Sequence, residues 1–127
     1  MDTQVSHLCR PVVSVNENVS VVDVLTNTPW NKVSSVVVLN DEKKVVGIIT
    51  ENDLLSAKAS GPHFREFKAA DICSRHIIKI SPEDSIIGAA RLMVDKKVHH
   101  VLIMVGDYVE GIVSTLDVLK QYLDRDR

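Results

Sequence analysis

The sequence predicts a mixed α/β (α+β) fold built from two tandem β-α-β-β-α units. Three observations carry this reading. The first is an internal repeat: Val46-Gly47-Ile48-Ile49-Thr50-Glu51-Asn52-Asp53-Leu54-Leu55 lies over Glu110-Gly111-Ile112-Val113-Ser114-Thr115-Leu116-Asp117-Val118-Leu119 at a constant offset of 64 positions. The second is composition. With 21 Val, 10 Ile and 10 Leu in 127 residues and only 4% aromatics, the core must be aliphatic, and β-branched side chains favour strands. The third is pattern: each half contains two continuous apolar runs joined by a short turn, the mark of a hairpin covered on both faces by helices.

The elements follow in order. The repeat extends backwards, with residues 33–39 over 98–104 and residues 15–22 over 80–87. It divides the chain into repeat 1 (residues 1–58), a polar connector (59–68) and repeat 2 (69–127), each repeat being one supersecondary unit that cannot bury its sheet alone. A short extended segment opens each repeat, over residues 12–15 and 77–80. A helix follows. In repeat 2, Ser81 or Asp84 is its candidate cap, Pro82 suits the first turn, and Ala89, Ala90, Leu92 and Met93 form an apolar face. In repeat 1 the corresponding helix meets Thr28-Pro29, and an interior proline costs about 3 kcal/mol, so this helix is expected to be short or kinked. Trp30 beside it reads as a local core plug or as a partner contact. The hairpin turns fall at residues 40–44 and 106–107, the second runs at 45–49 and 109–113, and a helix closes each repeat.

Charge and length exclude several classes. The formal net charge is -2 and no basic stripe is present, so a nucleic-acid partner is not expected. Apolar runs such as residues 101–105 fall far short of the ~20 residues that cross a bilayer, and no signal-peptide core is seen near the N-terminus. A cytoplasmic protein is expected. Cys9 and Cys73 are too few for a disulfide scaffold or a zinc site and read as small apolar residues. His99 and His100 are neighbours whose side chains point to opposite sides of an extended chain, with no third ligand at metal spacing. Neither a phosphate loop nor a nucleophile elbow is present, and Asp53 and Asp117 lack a nucleophile or base partner, so no enzymatic activity is expected.

The two strand-to-helix junctions carry the remaining chemistry. Thr50 and Ser114 stand where a helix cap belongs, with Asp53 and Asp117 three residues on, the spacing of a capping box. The same junction presents backbone N–H groups and a first-turn carboxylate, which suit a phosphate and a pair of ribose hydroxyls. Its occurrence twice in register favours a paired ligand site.

The pattern Gly-aliphatic-aliphatic-Thr/Ser-x-x-Asp, closing each of two β-α-β-β-α repeats, resembles the CBS-domain family, and the pair resembles a Bateman module. The resemblance covers roughly residues 5–123. It implies two repeats packed through their sheets about a pseudo-two-fold axis, with two clefts for AMP, ADP, ATP, S-adenosylmethionine or another adenosyl ligand, and no cofactor beyond that regulatory ligand. Carried over by position, Asp53 and Asp117 would bind ribose hydroxyls and Thr50 and Ser114 the ribose or phosphate. Val12 and Val13, and Ile77 and Ile78, would flank the adenine, the segment of one repeat facing the Asp of the other. His99 and His100 fall where relatives that bind phosphorylated ligands often carry His and Arg, and Ser34 with Ser35 holds the equivalent place in repeat 1. Because imidazole can meet phosphate with charge and serine cannot, the Ser114/Asp117 cleft is expected to be the better phosphate site. The resemblance also favours a homodimer, through the stripe Leu116, Leu119, Tyr122 and Leu123, and a regulated protein partner. The alternative is a structural homodimerisation module with no physiological nucleotide ligand.

Overall fold

The computed structural model describes residues 3–125; the outermost positions of the two repeats, residues 1–2 and 126–127, lie outside the described residues. The chain forms two compact units, and only one is contiguous in sequence: residues 12–76 make one, and residues 3–11 join 77–125 to make the other.

The 12–76 unit contains β1 (Ser14–Asn16), α1 (Val21–Asn27), β2 (Ser35–Leu39), β3 (Val45–Thr50), α2 (Glu51–Ala59), a 3-10 turn at Pro62–Glu66 and α3 (Ala69–Ile72). The sheet order is β1-β2-β3, with β1 parallel and β3 antiparallel to β2. Central strand β2 has no polar face: Val36, Val37 and Val38 are all fully buried. The Val13 carbonyl already accepts from Val37 N–H at 2.8 Å, although regular pairing starts only at Ser14, so the first strand is shorter than expected. Helix α1 begins at Ser20, whose hydroxyl accepts from Val22 N–H at 3.2 Å. It ends after seven residues. Thr28 lies at φ -85°, ψ 132°, the extended region that a residue before proline prefers, and this shortening is the expected effect of Pro29. Trp30 packs half-buried against this unit's core, and its Nε1 has no hydrogen-bond partner among the described residues.

The second unit contains β4 (Ile78–Ile80), α4 (Ile86–Lys96), β5 (His100–Val105), β6 (Tyr108–Ser114) and α5 (Thr115–Arg125), together with a 3-10 turn at Val5–Leu8. Its sheet order β4-β5-β6 repeats the first sheet. The expected cap of α4 is corrected. Ser85 caps the helix, its hydroxyl accepting from Gly88 N–H at 2.9 Å. Ser81 and Asp84 are engaged elsewhere: the Asp84 carboxylate accepts from Ser81 N–H at 2.9 Å and Asp84 N–H donates to the Ser81 carbonyl at 3.1 Å. Residues 81–84 therefore close a turn of their own before the helix, and Pro82 lies in that turn. Helix α4 runs eleven residues, buries Ile86, Ala89 and Met93, and stops at Lys97 in the left-handed region at φ 56°. No helix among the described residues is long and apolar enough to cross a membrane.

A short strap completes each unit. In the 12–76 unit, Val21 N–H donates to Phe67 O, Ala69 N–H donates to Val19 O, and Ser74 exchanges two backbone bonds with Ile48, at 3.0 and 2.8 Å. In the second unit, Ile86 N–H donates to Thr3 O, Val5 N–H donates to Asp84 O, and Arg10 exchanges two bonds with Ile112, at 3.1 and 3.0 Å. Residues 3–10 and 67–74 thus repeat each other 64 positions apart, although few of their side chains match. The straps explain the glycine that opens each repeated motif. A Cβ on Gly47 would lie 2.5 Å from the Ser74 carbonyl oxygen and 2.8 Å from Cys73 Sγ, and one on Gly111 would overlap Cys9 Sγ and stand 2.8 Å from the Arg10 carbonyl oxygen.

Candidate functional site

Each junction is a closed hydrogen-bond circuit. At the end of β6, Asp117 Oδ2 accepts from Ser114 N–H at 2.8 Å and from Ser114 Oγ–H at 3.0 Å, while Asp117 N–H donates to Ser114 Oγ at 3.2 Å. At the end of β3, Asp53 Oδ2 accepts from Thr50 N–H at 2.8 Å and from Thr50 Oγ1–H at 3.1 Å, and Asp53 N–H donates back at 3.4 Å. This is the capping box that the spacing predicts, made twice. In both, one carboxylate oxygen carries the cap. The other oxygen takes no part in the cap.

That second oxygen differs between the units. Asp117 Oδ1 accepts from Arg10 Nη1 at 3.1 Å, an ion pair in which the Asp117 side chain is 12% exposed and that of Arg10 is 54% exposed. Among the described residues, Oδ1 of Asp53 has no comparable donor. Arg10 is a neighbour of the junction carboxylate that the sequence reading does not single out. It precedes Asp117 by 107 positions and belongs to no motif, and only its strap pairing with Ile112 brings it to the junction.

The histidines fall in the Ser114/Asp117 unit. His100 opens β5 directly opposite Ser114 in the strand register. His99 is exposed, and its carbonyl accepts from Thr115 N–H at 3.0 Å, tying it to the first residue of α5. Burial lowers the His100 pKa, the neighbouring His99 lowers it further, and Asp117 opposes both. In the 12–76 unit the equivalent positions are Ser34, exposed, and Ser35, buried opposite Thr50. Val12 and Val13 lie half-buried in the Thr50/Asp53 unit, at the entry to β1. Ile77 and Ile78 lie half-buried in the Ser114/Asp117 unit, Ile78 opposite Val101. Cys9 and Cys73 pack against the two cores, and burial raises both thiol pKa values, which keeps them protonated.

The comparisons with known proteins agree with this architecture. The family model for the CBS domain matches residues 5–60 and again residues 69–124. The chain belongs to the CBS domain family. An uncharacterized protein of Methanocaldococcus jannaschii is 28% identical over 137 aligned positions, covering 97% of this chain and 32% of that protein. Across the first three curated relatives matched, the chain spans 32%, 58% and 36% of their length. Among solved structures, the CBS domain pair of protein MJ0100, in complex with 5'-methylthioadenosine and S-adenosyl-L-methionine, superposes with a TM-score of 0.87 at 20% identity, covering 98% of this chain and 99% of that one. CBSX2 in complex with AMP superposes with a TM-score of 0.81 at 21% identity, covering 98% of each chain. Each CBS repeat is continuous in sequence, whereas each compact unit takes its strap from the other repeat.

Proposed function

We propose that this CBS pair is a non-catalytic regulatory module that binds adenosine-containing ligands at its two junctions and signals through conformation or association. The observation that carries the reading is the doubled carboxylate. Asp53 and Asp117 are each fixed at a helix start through one oxygen, so the other, which in Asp117 also accepts from Arg10, is the one that would meet a ribose diol. Thr50 and Ser114 hold those carboxylates, and Val12, Val13, Ile77 and Ile78 offer aliphatic side chains to flank an adenine. The adenosyl ligands of MJ0100 and CBSX2 support the same ligand class for this chain. Ser114/Asp117, with His99 and His100 beside it, is the stronger phosphate site in this reading. A ligand acts only by differential affinity for two states, so the output is a partner or an oligomer that senses the junctions, in a cytoplasmic setting.

Thermal unfolding of the purified chain with AMP, ADP, ATP and S-adenosylmethionine tests this. A ligand at a hundred times its dissociation constant adds about 2.7 kcal/mol. No shift with any of the four at millimolar concentration refutes the proposal. Asp117→Ala is expected to weaken AMP binding more than Asp53→Ala, and the reverse order removes the ranking of the sites.

One observation favours a second reading, a homodimerisation module. Val118 is buried and Tyr122 packs on the core, but Leu116, Leu119 and Leu123 on α5 remain 55%, 58% and 63% exposed. Such a stripe suits a subunit interface. Sedimentation at tens of micromolar decides it: a monomer removes the dimer, and a dimer with no nucleotide response makes the structural reading the better one.

A further inference from the structure

Trp30, the one tryptophan of the chain, lines a cleft of about 640 Å³ that lies wholly within the 12–76 unit. Helix α1 gives one wall and α2 the other. Helix α1 stops at Asn27, before Pro29, whereas α4 runs on past the equivalent residue, Leu92, to Lys96. Leu54 and Phe64 are buried in the floor of the cleft, and Leu25 and Leu55 stand exposed at its rim. A cleft of this size, mostly apolar with a few polar groups, is the usual form of a small-molecule site. Neither Thr50 nor Asp53 lines it, so it is distinct from the junction.

The polar groups on the lining divide by charge. On α2, Glu51, Leu54, Leu55 and Lys58 follow the spacing of one helix face, which sets Glu51 and Lys58 about 10 Å apart along the axis. Lys58 Nζ lies 5.2 Å from the centroid of the Phe64 ring, and Arg65 is the next residue. The cleft therefore has a basic end, with two cations, and an acidic end, with one carboxylate. Among the described residues neither Lys58 nor Arg65 is ion-paired. The Thr26 hydroxyl already donates to the Val22 carbonyl at 2.9 Å, and Trp30 Nε1 is buried away from solvent. The side-chain donors left to meet a ligand are the two cations.

We propose that this cleft binds a small apolar carboxylate, with its hydrocarbon body against Val22, Leu54, Leu55 and Trp30 and its carboxylate at the Lys58/Arg65 end. Apolar burial supplies most of the affinity, and the two cations choose the head group. A neutral alcohol of the same chain length keeps the first contribution and forgoes the second. An amine meets the same two positive charges, with only Glu51 at the far end to favour it. Both cations are exposed, so water and salt screen their attraction. The preference for carboxylate over alcohol is therefore expected to be about threefold to tenfold.

Fluorescence titration of the full chain with decanoate and with decanol tests this, since all tryptophan emission comes from Trp30, with calorimetry as the second measurement. Decanoate is expected to change the emission saturably and to bind about threefold to tenfold tighter than decanol at low salt, the preference shrinking at high salt. Lys58→Gln with Arg65→Gln should remove the preference and keep decanol binding. Leu55→Glu, at an exposed rim position, should weaken both ligands and decanoate more. No saturable emission change and no heat with either ligand overturns the proposal. Equal affinity for the two in the parent chain does the same, as does a response that these variants leave untouched. If emission changes on dilution of the protein alone, and sedimentation shows a dimer that Leu55→Glu disperses, a second copy covers the cleft and the proposal is overturned.

Discussion

Gly47→Ala isolates the strap contact on which the architecture depends. The new methyl carbon would stand 2.5 Å from the Ser74 carbonyl oxygen and 2.8 Å from Cys73 Sγ, where ordinary contacts begin at 3.4 Å. The nearer neighbour is backbone and cannot rotate away. The strap must withdraw by about 1 Å, which strains the two hydrogen bonds between Ser74 and Ile48, at 3.0 and 2.8 Å. Each such bond contributes about 0.5–1.5 kcal/mol, and overpacking adds about 1–3 kcal/mol. Against this, alanine restricts the unfolded chain and returns about 0.4–1 kcal/mol. The net expectation is a loss of about 2–4 kcal/mol, or roughly 10 °C in Tm for a chain of this size. Urea denaturation followed by circular dichroism measures it, with Gly106→Ala as control. Gly106 has φ 62° and nothing within 4 Å of a built Cβ, so its loss is the backbone strain alone, about 1 kcal/mol. A Gly47→Ala protein as stable as the Gly106→Ala control refutes the argument that strap crossing is what requires the glycine.

Three further outcomes are expected. Lys97 ends α4 at φ 56°, so Lys97→Gly should stabilise the chain by up to about 1 kcal/mol, and a lower urea midpoint contradicts this. Trp30 packs on the 12–76 core and among the described residues its Nε1 meets no acceptor, so Trp30→Phe should cost only the packing of the lost part of the indole, about 1–2 kcal/mol, and a loss above about 3 kcal/mol by the same measure contradicts this. Burial first, then His99, lowers the His100 pKa below its ordinary value, which is about 6.5 in the unfolded chain. Below that value the unfolded state binds the extra proton, so this contribution is complete above pH 6.5 and is lost as pH falls toward the folded-state pKa. The urea midpoint should therefore drop more between pH 7.5 and pH 5 in the parent chain than in His100→Gln, and equal drops refute the assignment.

Much of the fold was legible because its causes are local. The hairpins follow from apolar runs such as Val36-Val37-Val38, the short α1 follows from Pro29, and the junction circuits follow from a three-residue spacing that fixes both partners of a capping box. What escaped depends on contacts between distant positions. Ser85 caps α4 because Ser81 and Asp84 are spent on each other, and a row of candidate caps in sequence does not say which are already paired. The straps escaped for a related reason. Their work is done by backbone groups, which leave almost no side-chain signature.

The repeated motif consequently encodes two separate requirements under one pattern. Its glycine answers to the strap, whose carbonyl would collide with any Cβ at Gly47 or Gly111, whereas its Thr/Ser and Asp answer to the junction circuit. Because the motif is the same in both repeats, it makes the two carboxylates geometrically equivalent. The straps do not match in side chains: one places a guanidinium on Asp117, and the other has a serine, Ser74, at the equivalent position. The histidines, at His99 and His100 against Ser34 and Ser35, lean the same way. Sequence symmetry at the motif thus coexists with chemical asymmetry at the two junctions, part of it in the histidine run, where the repeat is plain, and part in the straps, where few side chains match.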